Sequence, residues 1–242
     1  MKASPIDQLQ ILDVQRMDFQ VITLRNKVLA LSEIAELLAN TQRSAVVRDL
    51  SIAAQTEISD IKRELLRSEA DVEQVVTRLQ RDDKRLSDAS SSPKELEKLQ
   101  HEVQTLATRR SELEEVELEI MLRMDSVKAR LDELTAESQQ LAIQCTDIES
   151  RKAAASAYIE NEIASILAER AATVATTDSA LVDLYEKIKA SNGTGAAAFT
   201  AGRCNGCHLA INNVELGRMK TLADDEVVRC EECRCILVRG AK

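Results

Sequence analysis

Stepping alternately three and four residues from Leu96 to Ile166 reaches twenty-one positions, and sixteen of them are apolar, among them Leu99, Leu113, Ile120, Leu134, Leu141 and Ile148. A 3.5-residue repeat held for about ten heptads keeps one narrow stripe against a partner helix, which is the pattern of a coiled coil. The positions beside the stripe are rich in Glu, Arg, Lys and Gln. A core helix of a globular domain would show a wider apolar face and end after roughly 10 to 14 residues. Polar residues interrupt the stripe at Arg110, Glu117, Ser138, Lys152 and Glu162, where such residues more often set register than bind.

Composition argues in the same direction. Two Phe, two Tyr and no Trp supply little of the bulk that a large compact core uses, while two Pro, six Gly and 30% charged residues describe long helices. The first ten residues contain no apolar run of signal-peptide type, and no stretch of eighteen apolar residues occurs. A soluble, cytoplasmic protein with no membrane segment is therefore expected. The net charge of −9 is uneven: residues 191–242 carry seven Lys/Arg against six Asp/Glu, leaving −10 on residues 1–190. An acidic helical region of this kind repels a phosphate backbone.

Ser4-Pro5-Ile6-Asp7 and Ser92-Pro93-Lys94-Glu95 each place Ser at an N-cap, Pro at the first helical position and an acid at the third. Two long helices are expected to begin there. The first would run from about Pro5 to Asp88, with Ile58, Ile61, Leu65, Val72, Val75, Leu79 and Leu86 on its stripe. Leu24, Val28, Leu31, Ala35 and Leu38 keep the same spacing in another phase, which predicts a kink near Ala39–Ser44. Ala89-Ser90-Ser91 leaves room only for a sharp reversal, so the helices should pack antiparallel and bring the start of the first opposite about residue 176. The fold class expected is mainly α. It comprises a long antiparallel coiled-coil hairpin over 1–190, with its turn near 88–93 and a short helix at 178–190 that stops at Asn192-Gly193. A small zinc ribbon with short β-strands follows over 191–242, entered through a linker or edge strand at Gly193–Gly202.

Cys204-Asn205-Gly206-Cys207 and Cys230-Glu231-Glu232-Cys233 form two C-x2-C pairs separated by 22 residues. Each pair makes a tight knuckle presenting two thiolates on one side, and two knuckles complete a tetrahedral set for one structural Zn²⁺. Around fifty residues bury too little surface to fold securely alone, so the metal would contribute folding free energy directly. Six Cys in a reducing compartment read as ligands or buried thiols and not as disulfides. Iron in a rubredoxin-like site competes with zinc, but aromatic residues around the cluster are absent. Cys204–His208 also matches the haem-attachment pattern C-x-x-C-H, which would leave the second pair unexplained. Cys235 offers an alternative to Cys233 as the partner of Cys230; the two-residue knuckle favours Cys233, leaving Cys235 to pack on a terminal strand with Ile236, Leu237 and Val238 or to remain a free thiol. With all four metal positions filled by protein, no site remains open for water, which disfavours a catalytic zinc.

The chain resembles the bacterial family of coiled-coil hairpin proteins that end in a C4-type zinc ribbon. The resemblance rests on Ser92-Pro93-Lys94-Glu95-Leu96, Leu184-Tyr185-Glu186-Lys187-Ile188, Cys204-Asn205-Gly206-Cys207-His208, and Cys230-Glu231-Glu232-Cys233 followed by Ile236-Leu237. It implies a nucleic-acid-binding zinc ribbon protein, or a chaperone or adaptor for secretion or flagellar components, an alternative sigma factor or messenger RNA. Where the family tends to have Gly-Arg after the last cysteine, this chain has Arg234-Cys235.

Function is therefore expected to be that of a non-enzymatic, chaperone-like adaptor whose coiled coil and ribbon bind a macromolecular partner, most simply a protein. The alternative is an RNA- or DNA-binding ribbon acting in transcription or messenger regulation through Arg203, Arg218, Lys220, Arg229, Arg234 and Arg239. Phe199 is the one aromatic near those cations, so the stacking platforms used for single strands are missing. Catalysis and a small-molecule substrate find no support: there is no phosphate loop or clustered acid–base pair, and the only histidines are His101 and His208.

Overall fold

The computed structural model describes residues 1–87 and 92–240. Its elements are α1 (Pro5–Leu29), α2 (Ser32–Leu86), α3 (Pro93–Thr176), α4 (Ser179–Asn192), β1 (Ala196–Thr200), β2 (Arg203–Cys204), α5 (Asn213–Thr221), β3 (Val228–Arg229) and β4 (Ile236–Val238). Long helices forming a hairpin-like coiled coil and a small C-terminal sheet make up the chain. Two compact units share it. One comprises Met1–Ile34 with Ser150–Lys242, the other Ala35–Glu149.

In the second unit α2 and α3 are antiparallel. Arg43 pairs with Glu137, Glu64 with Arg123 and Arg78 with Glu102, the partner number falling as the first rises. Asn40 donates to the Leu141 carbonyl at 3.2 Å in the same register. Along α2 the buried positions recur every seven residues, and small or polar side chains alternate with β-branched ones: Asn40, Val47, Ala54, Ile61, Ser68, half-buried Val75, and Asp82. Val47 packs with Leu134 and Leu141 of α3. The stripe expected on α3 is buried or half-buried throughout except at Arg110, Ser138 and Glu162, which face solvent. At the start of α3, Ser92 donates both its backbone N–H and its hydroxyl to the Glu95 carboxylate, at 3.0 and 2.7 Å. The reversal expected within 88–93 falls largely on residues 88–91, which lie outside the described residues.

The continuous first helix expected from Pro5 to Asp88 is instead broken at Ala30–Leu31, about ten residues before the kink placed at Ala39–Ser44. The cause lies in the offset between the two stripes. Stepping by sevens from Leu24 leads through Leu31 to Leu38, which is 60% exposed, whereas stepping back from Val47 reaches buried Asn40. The helix is interrupted between the two phases, at Ala30 (φ −104°, ψ 16°), where the offset between the stripes can be taken up.

In the first unit, Ser4 caps α1 by accepting from the Asp7 N–H at 3.1 Å. Buried Ile11 and Val14 of α1 meet Leu181, Tyr185 and Ile188 of α4 and Ala196, Ile236 and Val238 of the sheet in one core. Asp178 caps α4, and Gly193 ends it at φ +79°, a conformation that side chains with a Cβ disfavour. The Gln10 amide donates to the Thr176 hydroxyl, placing the start of α1 opposite the end of α3 as the hairpin geometry requires. The sheet order is β2-β1-β4-β3, with β1 and β4 parallel. Gly193–Gly202 is thus neither linker nor edge: β1 lies inside the sheet, recruited by pairing with Ile236–Val238 although its Ala-rich sequence has little strand preference of its own.

Candidate metal centre

Strand alternation determines what reaches the metal centre. Along 235–238, Ile236 and Val238 face the helical core, while Cys235 and Leu237 face a second cluster with Ala197, Cys204, Met219, Val228 and Cys230. The knuckles close on that second face. In the first, the His208 N–H donates to the Cys204 carbonyl at 2.7 Å; in the second, the Arg234 N–H donates to the Cys230 carbonyl at 3.0 Å. The residue after the second cysteine of each pair, His208 or Arg234, stands at φ +62°. The knuckles are therefore copies of one turn.

The Sγ atoms of Cys204, Cys207, Cys230 and Cys233 all lie within 4.8 Å of one another. Cys204 and Cys233 are 3.8 Å apart across the cluster, and Cys207 and Cys230 3.9 Å. A tetrahedral Zn²⁺ with Zn–S bonds of about 2.3 Å needs its sulfurs about 3.8 Å apart, so the donor set fits one such ion and leaves no ligand position for water. Cys204 and Cys230 are buried and Cys207 and Cys233 half-buried, and all six cysteines are free thiols. Burial raises the Cys233 and Cys235 thiols above their ordinary range, so binding a cation to this cluster releases protons. Cys235 does more than pack on its strand: its sulfur lies 3.5 Å from that of Cys204 and 3.3 Å from that of Cys233.

Polar side chains of α1 and α4 hold this head together. The Gln15 side-chain oxygen Oε1 accepts from the Gly195 and Ala196 N–H groups at 2.7 and 3.2 Å, fixing the entry to β1. The Gln8 amide donates to the carbonyls of Ala3 and Asp224, and Lys2 forms an antiparallel bridge with Glu226. Asn192 at the end of α4 donates to the Cys233 carbonyl at 2.8 Å, tying the helix to the second knuckle. Asp18, 6% exposed on the apolar side of α1, accepts from Arg170, Tyr185 and Lys189. Sequence reasoning passed over all of these. The available signal was an acid and two amides among the apolar positions of an amphipathic helix.

The six cations singled out as contacts fare differently. Arg239 donates to the carbonyls of Met219, Leu222, Ala223 and Glu226, and so braces the turn after α5. Arg218 pairs with buried Glu215 and holds that carboxyl below its ordinary range. Arg229 donates to the Arg234 carbonyl. Arg203, Lys220 and Arg234 keep exposed side chains, and Arg218, Arg229 and Arg234 line one cleft together with Glu226 and Glu231. Beside α5 a cleft of about 530 Å³ is lined by Phe199, Leu216, Met219 and Leu222 together with Lys220, Asp224 and Arg239.

Residues 14–193 match the CT398-like coiled coil hairpin domain, and residues 203–237 the C4-type zinc ribbon domain. The chain belongs to the CT398-like coiled-coil hairpin family. Relatives of the hairpin family include the uncharacterized protein Rv2229c of Mycobacterium tuberculosis, 30% identical over 99% of this chain and 98% of that one. A solved structure from Mycobacterium smegmatis is 30% identical and superposes with a TM-score of 0.84 over 99% of this chain and all of the other. CT398 of Chlamydia trachomatis, at 20% identity and a TM-score of 0.68 over 96% and 97% of the two chains, shares the fold. Neither domain is that of an enzyme family; the hairpin and the ribbon are those of a scaffold or binding protein. Among the described residues no helix is long and apolar enough to cross a membrane.

Proposed function

We propose that the chain is a non-enzymatic, chaperone-like adaptor of the cytoplasm, in which a zinc-stapled head docks a protein partner. Cys204, Cys207, Cys230 and Cys233 would hold the ion, which supplies cross-linking of the two knuckles and no chemistry at a substrate. The observation that carries this reading is the closed tetrathiolate geometry on a sheet whose other face shares a core with α1 and α4. A site without an open coordination position serves structure, and a head packed on helices presents a stiff surface. Six free thiols fit a reducing compartment.

The cleft beside α5 supports a protein partner over a nucleic acid, because Leu216, Met219 and Leu222 line it beside its one aromatic, Phe199, and its charged lining is mixed, Lys220 and Arg239 with Asp224. Three of the six ribbon cations considered for phosphate are already engaged by carbonyls or a carboxylate, which leaves little for a continuous backbone track. Cross-linking in living cells followed by mass spectrometry tests the reading. Reproducible cross-links between Lys220 and one protein, abolished by Leu216→Asp, are expected. Recovery of RNA without a reproducible protein would transfer the function to the nucleic-acid alternative.

A further inference from the structure

Five sulfurs, not four, meet at the metal centre. Cys235 is fully buried, and its Sγ stands 3.5 Å from that of Cys204 and 3.3 Å from that of Cys233. Both separations are comparable to the roughly 3.8 Å between sulfurs that share one tetrahedral zinc. The orientation is imposed by the strand: residues on alternate sides of β4 face opposite cores, and Cys235 is on the metal side with Leu237. Room for the extra sulfur comes from Gly206 in the first knuckle, where a Cβ would stand 3.3 Å from the Cys235 sulfur and 3.5 Å from that of Cys204. Any apolar side chain would satisfy the packing. A thiol touching two ligands does something else.

We propose that Cys235 is an alternate zinc ligand that takes the coordination position of Cys233 when that thiol is lost. The proposal rests on the four-cysteine reading above. Cys233 is the candidate for loss because it is half-buried while Cys235 is enclosed. In the exchange the Zn–S bond to Cys233 breaks, the Zn–S bond to Cys235 forms, and the Cys235 proton passes to the departing Cys233 sulfur, so the ion keeps four thiolates. When Cys233 is absent or capped, that proton goes to solvent. No comparable substitute stands beside Cys207: both thiols touched by Cys235 belong to the Cys204–Cys233 side of the cluster.

Zinc content and the cobalt-substituted absorption spectrum of the full-length chain test the idea, using Cys233→Ser, Cys235→Ala, the double variant and Cys207→Ser. Cys233→Ser is expected to keep one zinc per chain and a tetrathiolate cobalt spectrum, with affinity reduced by about tenfold or less; the double variant and Cys207→Ser should fall by more than about a hundredfold and lose that spectrum. Equal loss in Cys233→Ser and the double variant overturns the proposal. A wild-type chain without zinc instead defeats the four-cysteine reading itself. So does a Cys235→Ala chain that cannot bind zinc while Cys233→Ser binds it fully, since Cys235 is then the primary ligand. To guard against a misfolded variant, the zinc-loaded wild-type chain is treated with limiting N-ethylmaleimide and its adducts mapped. Cys233 adducts in chains that retain zinc support the exchange, and one zinc released per Cys233 adduct overturns it.

Discussion

The Tyr185 hydroxyl donates to the Asp18 carboxylate across 2.6 Å, joining α4 to α1 in the middle of a buried face. Arg170 and Lys189 donate to the same carboxylate, each at 2.7 Å in its shorter contact, so one acid holds three elements of the head. Burial by itself would lift this carboxyl. The hydrogen bonds from Arg170, Lys189 and Tyr185 outweigh that and hold it below the ordinary carboxylate range.

Acid should therefore loosen the head. A carboxyl whose folded pKa lies below its unfolded value of about 4 contributes its full stability above that pH and loses it as pH falls through the folded value. Asp18→Asn leaves Arg170 and Lys189 with Glu186 alone as counter-charge and should cost about 2 kcal/mol at neutral pH. Denaturant midpoints measured from pH 7 to pH 3 check both statements: the deficit of the variant is largest at neutral pH and shrinks toward pH 3.

Removing the metal should unfold the ribbon selectively. Without it, the small sheet lacks the link between its two knuckles, whereas the α2–α3 stripe over 40–148 has its own core. Hydrogen exchange with and without a chelator should show loss of protection in β1–β4 and α5. Amides of α2 from Val47 to Asp82 and of α3 from Leu99 to Leu141 should remain protected.

Arg234 occupies a left-handed position, φ +62°, in a turn where glycine is unstrained. Arg234→Gly should stabilise the zinc-bound ribbon by on the order of 1 kcal/mol. Its N–H to the Cys230 carbonyl is retained, and only an exposed side chain is lost. Chelator competition reads the gain as slower zinc release.

Within the hairpin, the hydroxyl of Ser68 is buried with no hydrogen-bond partner. Ser68→Ala removes an unsatisfied group at a position that already alternates with apolar layers. It should be neutral or stabilising by about 1 kcal/mol, read from the thermal midpoint of the helical signal.

The α3 stripe and the knuckles could be read from the chain because each is a local periodicity: a 3.5-residue repeat and a two-residue spacing. The position of the break at Ala30–Leu31 is not legible in the sequence because neither Pro nor Gly marks it. It follows from which stripe each part of the helix must bury, and Leu38 and Asn40 differ in exposure only once the partner helix is in place. The sequence reads β1 only as a linker or edge strand for a related reason, since Ala196–Ala198 takes its inner place in the sheet through pairing with Ile236–Val238. Counting cations could not show that Arg239 is held by four carbonyls, because backbone acceptors leave no trace in composition.

Lys2 bridges Glu226, and Ala3 donates its N–H to the Asp225 carbonyl, so residues that precede α1 find their neighbours only after the rest of the hairpin has been made. On a ribosome adding about 5–20 residues per second, Ile11 and Val14 wait roughly eleven to forty-five seconds before Ile236 and Val238 exist to complete their core. The arms can zip from local contacts as they emerge, but completing this end of the molecule is a late event in biogenesis, and nascent chains stalled before residue 226 will display the sheet-facing side of α1 to whatever holds them.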